Sequence, residues 1–293
     1  MERYQTTRHR YSDSERDMAN CKGDDEFFQH FKYLPGELYR ITMPGRLVSF
    51  HCMNILCTLT KDGYMGMKDF RGDLIRIFQK AGFIFHSEVC IWKDPLIAAV
   101  RTKTLTLAHK QISKDSSRCS QGLSDYIITM HKPNDDPVTQ DYIIIMRKPG
   151  DNPKMISHGR GFERYFGDMP NPKETKKDDP RINKYSHQVW QRYASPVWFD
   201  INQTRTLNIR QAREKDDERH ICPLQLDTIA RCLELWSNEN DVVFSPFAGI
   251  GSEGYESLRL GRKFVGCELK KSYYKIAVKN LKSIKNRLKP FEI

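Results

Sequence analysis

The apolar residues of this chain change period several times, and each change marks an element. Phe27, Phe28, Phe31, Leu34, Leu38 and Ile41 recur at the spacing of one helical face, with Pro35 predicting a kink. Pro44-Gly45 then turns the chain into Arg46-Leu47-Val48-Ser49-Phe50-His51, which reads as a short strand. Leu74, Ile75 and Phe78 predict an amphipathic helix from Asp73 to Ala81, closed by Gly82 in the position just past its end. Phe83 to Trp92 is aromatic and β-branched, the composition of a strand. Asp125-Tyr126-Ile127-Ile128-Thr129-Met130-His131-Lys132-Pro133 recurs sixteen residues later as Asp141-Tyr142-Ile143-Ile144-Ile145-Met146-Arg147-Lys148-Pro149. A stacked repeat protein needs at least three units, so a local duplication yielding two similar strands is the simpler reading.

From Gly150 to Glu218 the pattern loses its period. Proline and glycine recur, basic residues run from Lys154 through Arg219, and Phe162, Tyr165, Phe166, Tyr185, Trp190, Tyr193, Trp198 and Phe199 lie between them. Two readings fit: a solvated irregular insertion with a small satellite core, or a DNA-contacting segment whose cations neutralise phosphates while planar side chains meet bases. The last quarter is orderly again. Leu226, Ile229, Ala230, Leu233 and Trp236 mark a helix, and a polar turn leads to the strand Val242-Val243-Phe244. A glycine-rich turn, a helix to Leu260, a stop at Gly261 and the strand Phe264-Val265-Gly266-Cys267 follow. A final helix is predicted with Ser272 as its cap and Ile276, Ala277, Leu281 and Ile284 on its inner face.

Composition narrows the class. At 293 residues the chain is long enough for one large domain or two modest ones. Its hydrophobic content of 39% and aromatic content of 11% exclude a disordered chain. No apolar run approaches the roughly 18 residues of a membrane span, and Met1 to Asn20 contains no signal-peptide core. A cytoplasmic protein with no membrane association is therefore expected. Lys and Arg exceed Asp and Glu by 48 to 37, and the net charge of +11 favours a polyanionic partner, nucleic acid foremost. The eight cysteines form no CxxC pair, so reduced thiols are expected and no metal site.

Candidate chemistry concentrates in Ser245-Pro246-Phe247-Ala248-Gly249-Ile250-Gly251-Ser252-Glu253-Gly254. Gly249, Gly251 and Gly254 are spaced GxGxxG between a strand and a helix, and Glu268 stands at the end of the next strand. Glycines let backbone turn sharply and approach a ligand, helix N–H groups face it, and the carboxylate can accept from ribose hydroxyls. A tight turn with no ligand is the plain alternative. A dinucleotide-binding domain would need further strand–helix units after Glu268, where only 25 residues remain.

The Pro246-Phe247-x-Gly249-x-Gly251 form resembles motif I of amino DNA methyltransferases. Arg219-His220-Ile221-Cys222-Pro223-Leu224-Gln225-Leu226-Asp227 is similar to motif X of that family. Leu38 to His51 resembles its helix–Pro-Gly–strand unit, and Ala81 to Lys93 its late antiparallel strands. Together these match the circularly permuted β-class over most of residues 24–285. The resemblance implies an α/β, Rossmann-like S-adenosylmethionine-dependent methyltransferase sheet with an irregular inserted target-recognition region. It divides the chain into a lead-in (1–23), a catalytic-side half (24–150), a target-recognition insertion (151–218) and an S-adenosylmethionine-binding half (219–293). Carried over by position, the cofactor-binding residues are Cys222, Pro223, Leu224, Ser245, Pro246, Phe247, Ala248, Gly249, Gly251 and Glu268. Ser245 stands where the family more often has Asp.

The implied activity is methyl transfer from S-adenosyl-L-methionine to an exocyclic amine, adenine N6 or cytosine N4, of double-stranded DNA, with no metal. The family's catalytic motif is an Asp, Asn or Ser, two prolines and an aromatic residue, and this chain holds no Pro-Pro pair. No catalytic residue is therefore assigned. By the family's order Met1 falls close to or within the catalytic loop, so the central strand leading to that loop is expected to be missing. Two alternatives stay open: a catalytically silent module that binds DNA and S-adenosylmethionine, and, ranked below it, a nicotinamide-dependent oxidoreductase using the same three glycines.

Overall fold

The computed structural model describes residues 14, 16–57, 62–64, 66–92, 125–131, 154, 156–208 and 223–287. Its first helical stretch is two helices, α1 (Asp24–Phe31) and α2 (Tyr33–Ile41), which meet at Lys32. The bend expected at Pro35 falls three residues earlier. Proline offers no N–H to the carbonyl four residues before it, and its ring crowds that carbonyl, so the hydrogen-bond ladder parts at Phe31. Strand β1 (Leu47–Cys52) follows, then the short antiparallel pair β2 (Ile55–Cys57) and β3 (Gly66–Lys68).

Helix α3 (Phe70–Lys80) starts three residues before its expected origin, because Asp69 caps it by accepting from the Gly72 N–H at 3.1 Å. Its C-terminal end follows the sequence reading. Gly82 takes φ +98°, its N–H donates to the Gln79 carbonyl at 2.9 Å, and the Phe83 N–H donates to the Phe78 carbonyl at 3.1 Å. The Phe78 and Phe83 rings then pack 5.6 Å apart, the apolar contact that accompanies such an ending.

Strands β4 (Ile84–Ile91), β5 (Asp125–His131) and β6 (Val197–Trp198) join β1 in a four-stranded sheet of order β1-β5-β4-β6. The first copy of the internal repeat, β5, is antiparallel to both neighbours; the second copy, 141–149, lies outside the described residues. Leu38, Cys52, Leu74, Phe78 and Phe83 are buried between this sheet and α2 and α3, with Phe50 stacked on Phe78 at 4.7 Å.

The second half contains α4 (Lys184–Tyr193), α5 (Leu226–Trp236), β7 (Val242–Ser245), α6 (Ser252–Arg259), β8 (Lys263–Gly266) and α7 (Lys271–Arg287). Strands β7 and β8 are parallel neighbours on either side of α6, a Rossmann-type strand–helix–strand unit. The last helix begins at Lys271, not after Ser272. The Lys270 carbonyl accepts from the Tyr274 N–H, and the Ser272 hydroxyl is buried without a hydrogen-bond partner, so Ser272 does not serve as the cap.

The segment read as an irregular insertion is built into the main core. It contains α4, and Phe162, Phe166, Tyr185, Val189 and Tyr193 are buried against Leu226, Ile229, Ala230 and Leu233 of α5 and against Leu260. Phe162, Phe166, Tyr185, Tyr193 and Trp198 are too buried to meet bases, and their core is not a satellite, whereas Trp190 and Phe199 stay exposed. Buried Arg231 of α5 explains part of the arrangement. Its guanidinium pairs with Asp200 at 2.8 Å, donates to the Phe166 carbonyl at 2.7 Å, and lies against the rings of Tyr193 and Trp198. The aromatic residues thus shield a fixed cation, and the cation in turn anchors an otherwise irregular chain.

Besides the β4–β6 strand pairing, two groups of contacts among the described residues join the halves. Val89 and Ile91 of β4 pack with Trp198 and Ile201 on Leu235 and Trp236 of α5. Arg46, just before β1, pairs with Asp241, just before β7, at 3.1 Å, and Lys154 reaches the same carboxylate at 3.0 Å. Both strands therefore start at one end of the molecule.

Candidate functional site

The glycine loop is positioned by its two strands and by α7. β7 ends at Ser245, whose carbonyl accepts from the Cys267 N–H at 3.0 Å, while the Cys267 carbonyl accepts from the Ala248 N–H at 2.8 Å. These bonds carry the strand pairing past β8 and into the loop. They also set Glu268 beside it: one carboxylate oxygen accepts from the Gly249 N–H at 2.8 Å, and the other from the Lys270 N–H at 2.8 Å. Two backbone donors thus fix the carboxylate beside the loop.

The glycines have different duties. Gly249 (φ +53°) and Gly251 (φ +88°) both take left-handed backbone. A Cβ on Gly249 would meet nothing within 4 Å, so open space lies above the loop there. A Cβ on Gly251 would come within 2.8 Å of Leu281 Cδ1 and 3.1 Å of the Ala277 Cβ, because α7 packs tightly against the turn. Gly254 presses on the Phe264 ring, where a Cβ would sit 2.6 Å from its nearest carbon. Gly251 and Gly254 therefore serve close packing, and Gly249 the open face.

Of the other residues expected at the site, Ser245 and Ala248 are buried at the base of the loop, Pro246 is half-buried, and Phe247 is 55% exposed beside it. Pro223 and Leu224 lead into α5, and Leu224 packs between two of the cores, so its side chain serves structure. Cys222 lies outside the described residues. Leu207 reaches the loop instead, packing against Ile250 and Tyr273 as well as the core beneath α5. Sequence reading also missed Asn280, whose side-chain amide donates to the Ile250 carbonyl at 2.9 Å and ties α7 to the loop. A signal for it existed, a lone amide between Ala277 and Leu281 on the helix's apolar face.

Electrostatics around the loop divide into two sets. Glu253, in the first turn of α6, has its carboxyl pushed up by burial, with His51 at the end of β1 as its opposing charge. Farther from the loop, Arg205 pairs with buried Asp227 and lies 3.6 Å from Glu256, which also pairs with Arg259 at 2.5 Å. Burial raises the Glu256 carboxyl even against those cations. Elsewhere, Cys21, Glu26 and His30 place metal-capable atoms within 4.8 Å of one another. The Glu26 carboxylate there already accepts from the Lys22 N–H at 2.6 Å, and burial, with Glu26 and Asp17 beside it, raises the Cys21 thiol.

Among the described residues no helix is long and apolar enough to cross a membrane, and no disulfide joins the described cysteines. Comparison with known proteins decides the family. The N6/N4 DNA methylase family model matches residues 4–279. The chain belongs to the DNA methylase family.

Among curated members it is similar to the type II methyltransferase M2.LlaDCHI of Lactococcus lactis subsp. cremoris, 49% identical over 45 residues. That match spans 15% of this chain and 17% of that protein. Solved structures extend the likeness to the whole fold. TTHA0409 of Thermus thermophilus, complexed with S-adenosyl-L-methionine, matches with a TM-score of 0.56 at 18% identity, over 89% of this chain and 78% of that one. The cytosine-N4-specific PvuII DNA methyltransferase matches with a TM-score of 0.51 at 10% identity, over 94% of this chain and 80% of that one. The chain therefore has the Rossmann-like α/β fold that the family resemblance implied.

Proposed function

We propose that this methylase binds S-adenosyl-L-methionine on the β7–α6 loop and transfers its methyl group to an exocyclic amine, adenine N6 or cytosine N4, of double-stranded DNA. The observation that carries the reading is Glu268 held by the Gly249 and Lys270 N–H groups beside open space over Gly249. A carboxylate so fixed accepts from two adjacent ribose hydroxyls without reorganising. Gly251 caps α6 without a side chain, which leaves the amides of that helix's first turn to a ligand carboxylate. Phe247 in the loop and Leu269 next to Glu268 are exposed and offer apolar surface. When bound, S-adenosylmethionine would supply a methyl group activated by its sulfonium. The protein's share is to orient that group and exclude water from it.

On the same reading the chain is circularly permuted. Residues 24–150 form the catalytic-side half, 151–218 carry target recognition and 219–293 bind the cofactor through Pro223, Leu224, Ser245, Pro246, Phe247, Ala248, Gly249, Gly251 and Glu268, with Cys222 completing that segment. The order of β1, β4 and β5 before the glycine loop supports it. A cytoplasmic location follows from a DNA substrate.

A second reading is favoured by one observation: the chain contains no Pro-Pro pair, so the motif that would accept from the target amine and stack on a flipped base is not in it. On that reading the protein binds cofactor and DNA without methylating. Incubation with methyl-labelled S-adenosylmethionine and duplex DNA, beside calorimetry with the cofactor alone, separates them. Label in DNA supports transfer, cofactor binding without label supports the silent module, and neither signal refutes both.

A further inference from the structure

Helix α7 carries Lys271, Lys275, Lys279, Lys282, Lys285 and Arg287 and no carboxylate, six positive charges in 17 residues of a chain whose net charge is +11. Residues 154–219, the stretch whose basic residues stood out in the sequence, hold fourteen basic against ten acidic side chains. Their net +4 is spread over 66 residues. Charge density therefore peaks on α7, far along the chain from that segment.

The helix sorts its residues cleanly. Tyr273, Ala277 and Ile284 are buried, and Leu281 and Asn280 contact the glycine loop, so one face is fully used. Lys271, Lys275, Lys279 and Lys282 are all exposed. At 3.6 residues per turn they share a stripe about 80° wide and roughly 16 Å long, with about 6 Å between lysines four apart. Lys275, Val278, Lys279, Lys282 and Ser283 line a shallow open cavity of about 460 Å³. Among the described residues no carboxylate pairs with Lys271, Lys275 or Lys282. Like charges at this spacing repel.

We infer that the lysine face of α7 binds the phosphate backbone of duplex DNA, on the side of the helix away from the glycine loop. A regular row of cations suits a regular polyanion, and duplex DNA presents one negative charge per ~1.7 Å of its axis. A membrane surface fits less well, because Tyr273, Ala277 and Ile284 are buried against the protein and only Tyr274, 56% exposed, and the half-buried Val278 remain as apolar surface to insert. This inference rests on the DNA-methylating reading above. Its contacts would be sequence-independent, fixing the enzyme on the duplex rather than choosing its site.

The test is the full-length triple variant K275Q/K279Q/K282Q, with fluorescence anisotropy on duplex DNA across a salt series. All three side chains are exposed, so thermal melting should match the wild type. Each lost phosphate contact lowers the slope of log affinity against log salt by about 0.9, which amounts to about eightfold in affinity at 0.1 M salt. A slope shallower by two to three units, restored by K275R/K279R/K282R, is the expected result. An unchanged slope overturns the inference while leaving methyl transfer untouched. Loss of binding to phosphatidylserine vesicles in the triple variant, with DNA binding intact, overturns it in favour of an anionic surface. Wild-type protein that binds no DNA overturns both this inference and the reading beneath it.

Discussion

Replacing Gly251 by alanine asks whether the glycine loop is shaped by packing or by a ligand. At φ +88° the new side chain enters left-handed backbone, a penalty of about 1–2 kcal/mol for a residue with a Cβ. The methyl group also arrives 2.8 Å from Leu281 Cδ1, 3.1 Å from the Ala277 Cβ and 3.2 Å from the Ala277 Cα, which as helix backbone has little room to retreat. Overpacking of this kind costs roughly 1–3 kcal/mol. Alanine's smaller unfolded-state entropy returns about 0.4–1 kcal/mol. The net loss expected is about 2–4 kcal/mol, a large share of the roughly 5–15 kcal/mol that holds a typical domain.

Gly249→Ala is the matched control. Its φ of +53° brings the same backbone penalty, but its Cβ meets nothing within 4 Å. With the same unfolded-state return counted, it should lose only about 0.5–1.5 kcal/mol of stability, and its methyl group projects into the space where a ligand would lie. Urea unfolding followed by circular dichroism gives both stabilities, and calorimetry gives cofactor affinity. Gly251→Ala should fail mainly in stability and Gly249→Ala mainly in binding. Equal stabilities for the two variants would refute the division of labour between these glycines.

The remaining predictions concern carboxylates and their partners. Glu268→Gln leaves one oxygen to serve two backbone N–H groups and removes the negative charge; S-adenosylmethionine affinity by calorimetry should fall about 10- to 100-fold, and an unchanged affinity argues against the cradle. Arg231→Ala strands Asp200 as an unpaired buried charge, which should destabilise by about 3–5 kcal/mol in urea melts. Adding Asp200→Asn should recover part of that loss, and no recovery would mean the pair is not coupled. The Asp200 carboxyl is raised by burial but held below its ordinary value by Arg231 and Tyr165, and the Asp241 carboxyl likewise by Asn238, Lys154 and Arg46. A depressed carboxyl stabilises above its unfolded pKa of about 3.9 and loses that contribution as pH falls through the lower folded value. Stability of the wild type should thus drop steeply below about pH 4, and Asp200→Asn should flatten that limb in pH-dependent urea melts.

Much of the fold was legible because local chemistry and final structure agree there. The end of α3 at Gly82, the helix at Leu226–Trp236 and the strand–loop–helix–strand run from Val242 to Gly266 each follow from spacing, a glycine or an apolar run. Where the reading missed, a side chain acted across the rule in use. Asp69 extended α3 backward past Gly72, Pro35 moved its break to Lys32, and the carbonyl of Lys270 displaced Ser272 as the start of α7.

The sequence by itself determined the glycine loop, the acid that follows it and the family to which both belong, because those features depend on neighbours along the chain. Only the tertiary structure decided what the aromatic residues between 162 and 198 do. Their sequence environment is basic and irregular, but Phe162, Phe166, Tyr185, Tyr193 and Trp198 are buried while Trp190 stays exposed, and Arg231, thirty or more residues further on, pairs with Asp200 and lies against the rings of Tyr193 and Trp198. The same holds for the loop itself. Spacing marks Gly249 and Gly251 alike, and it takes the approach of α7 to separate a glycine kept for packing from one kept for open space.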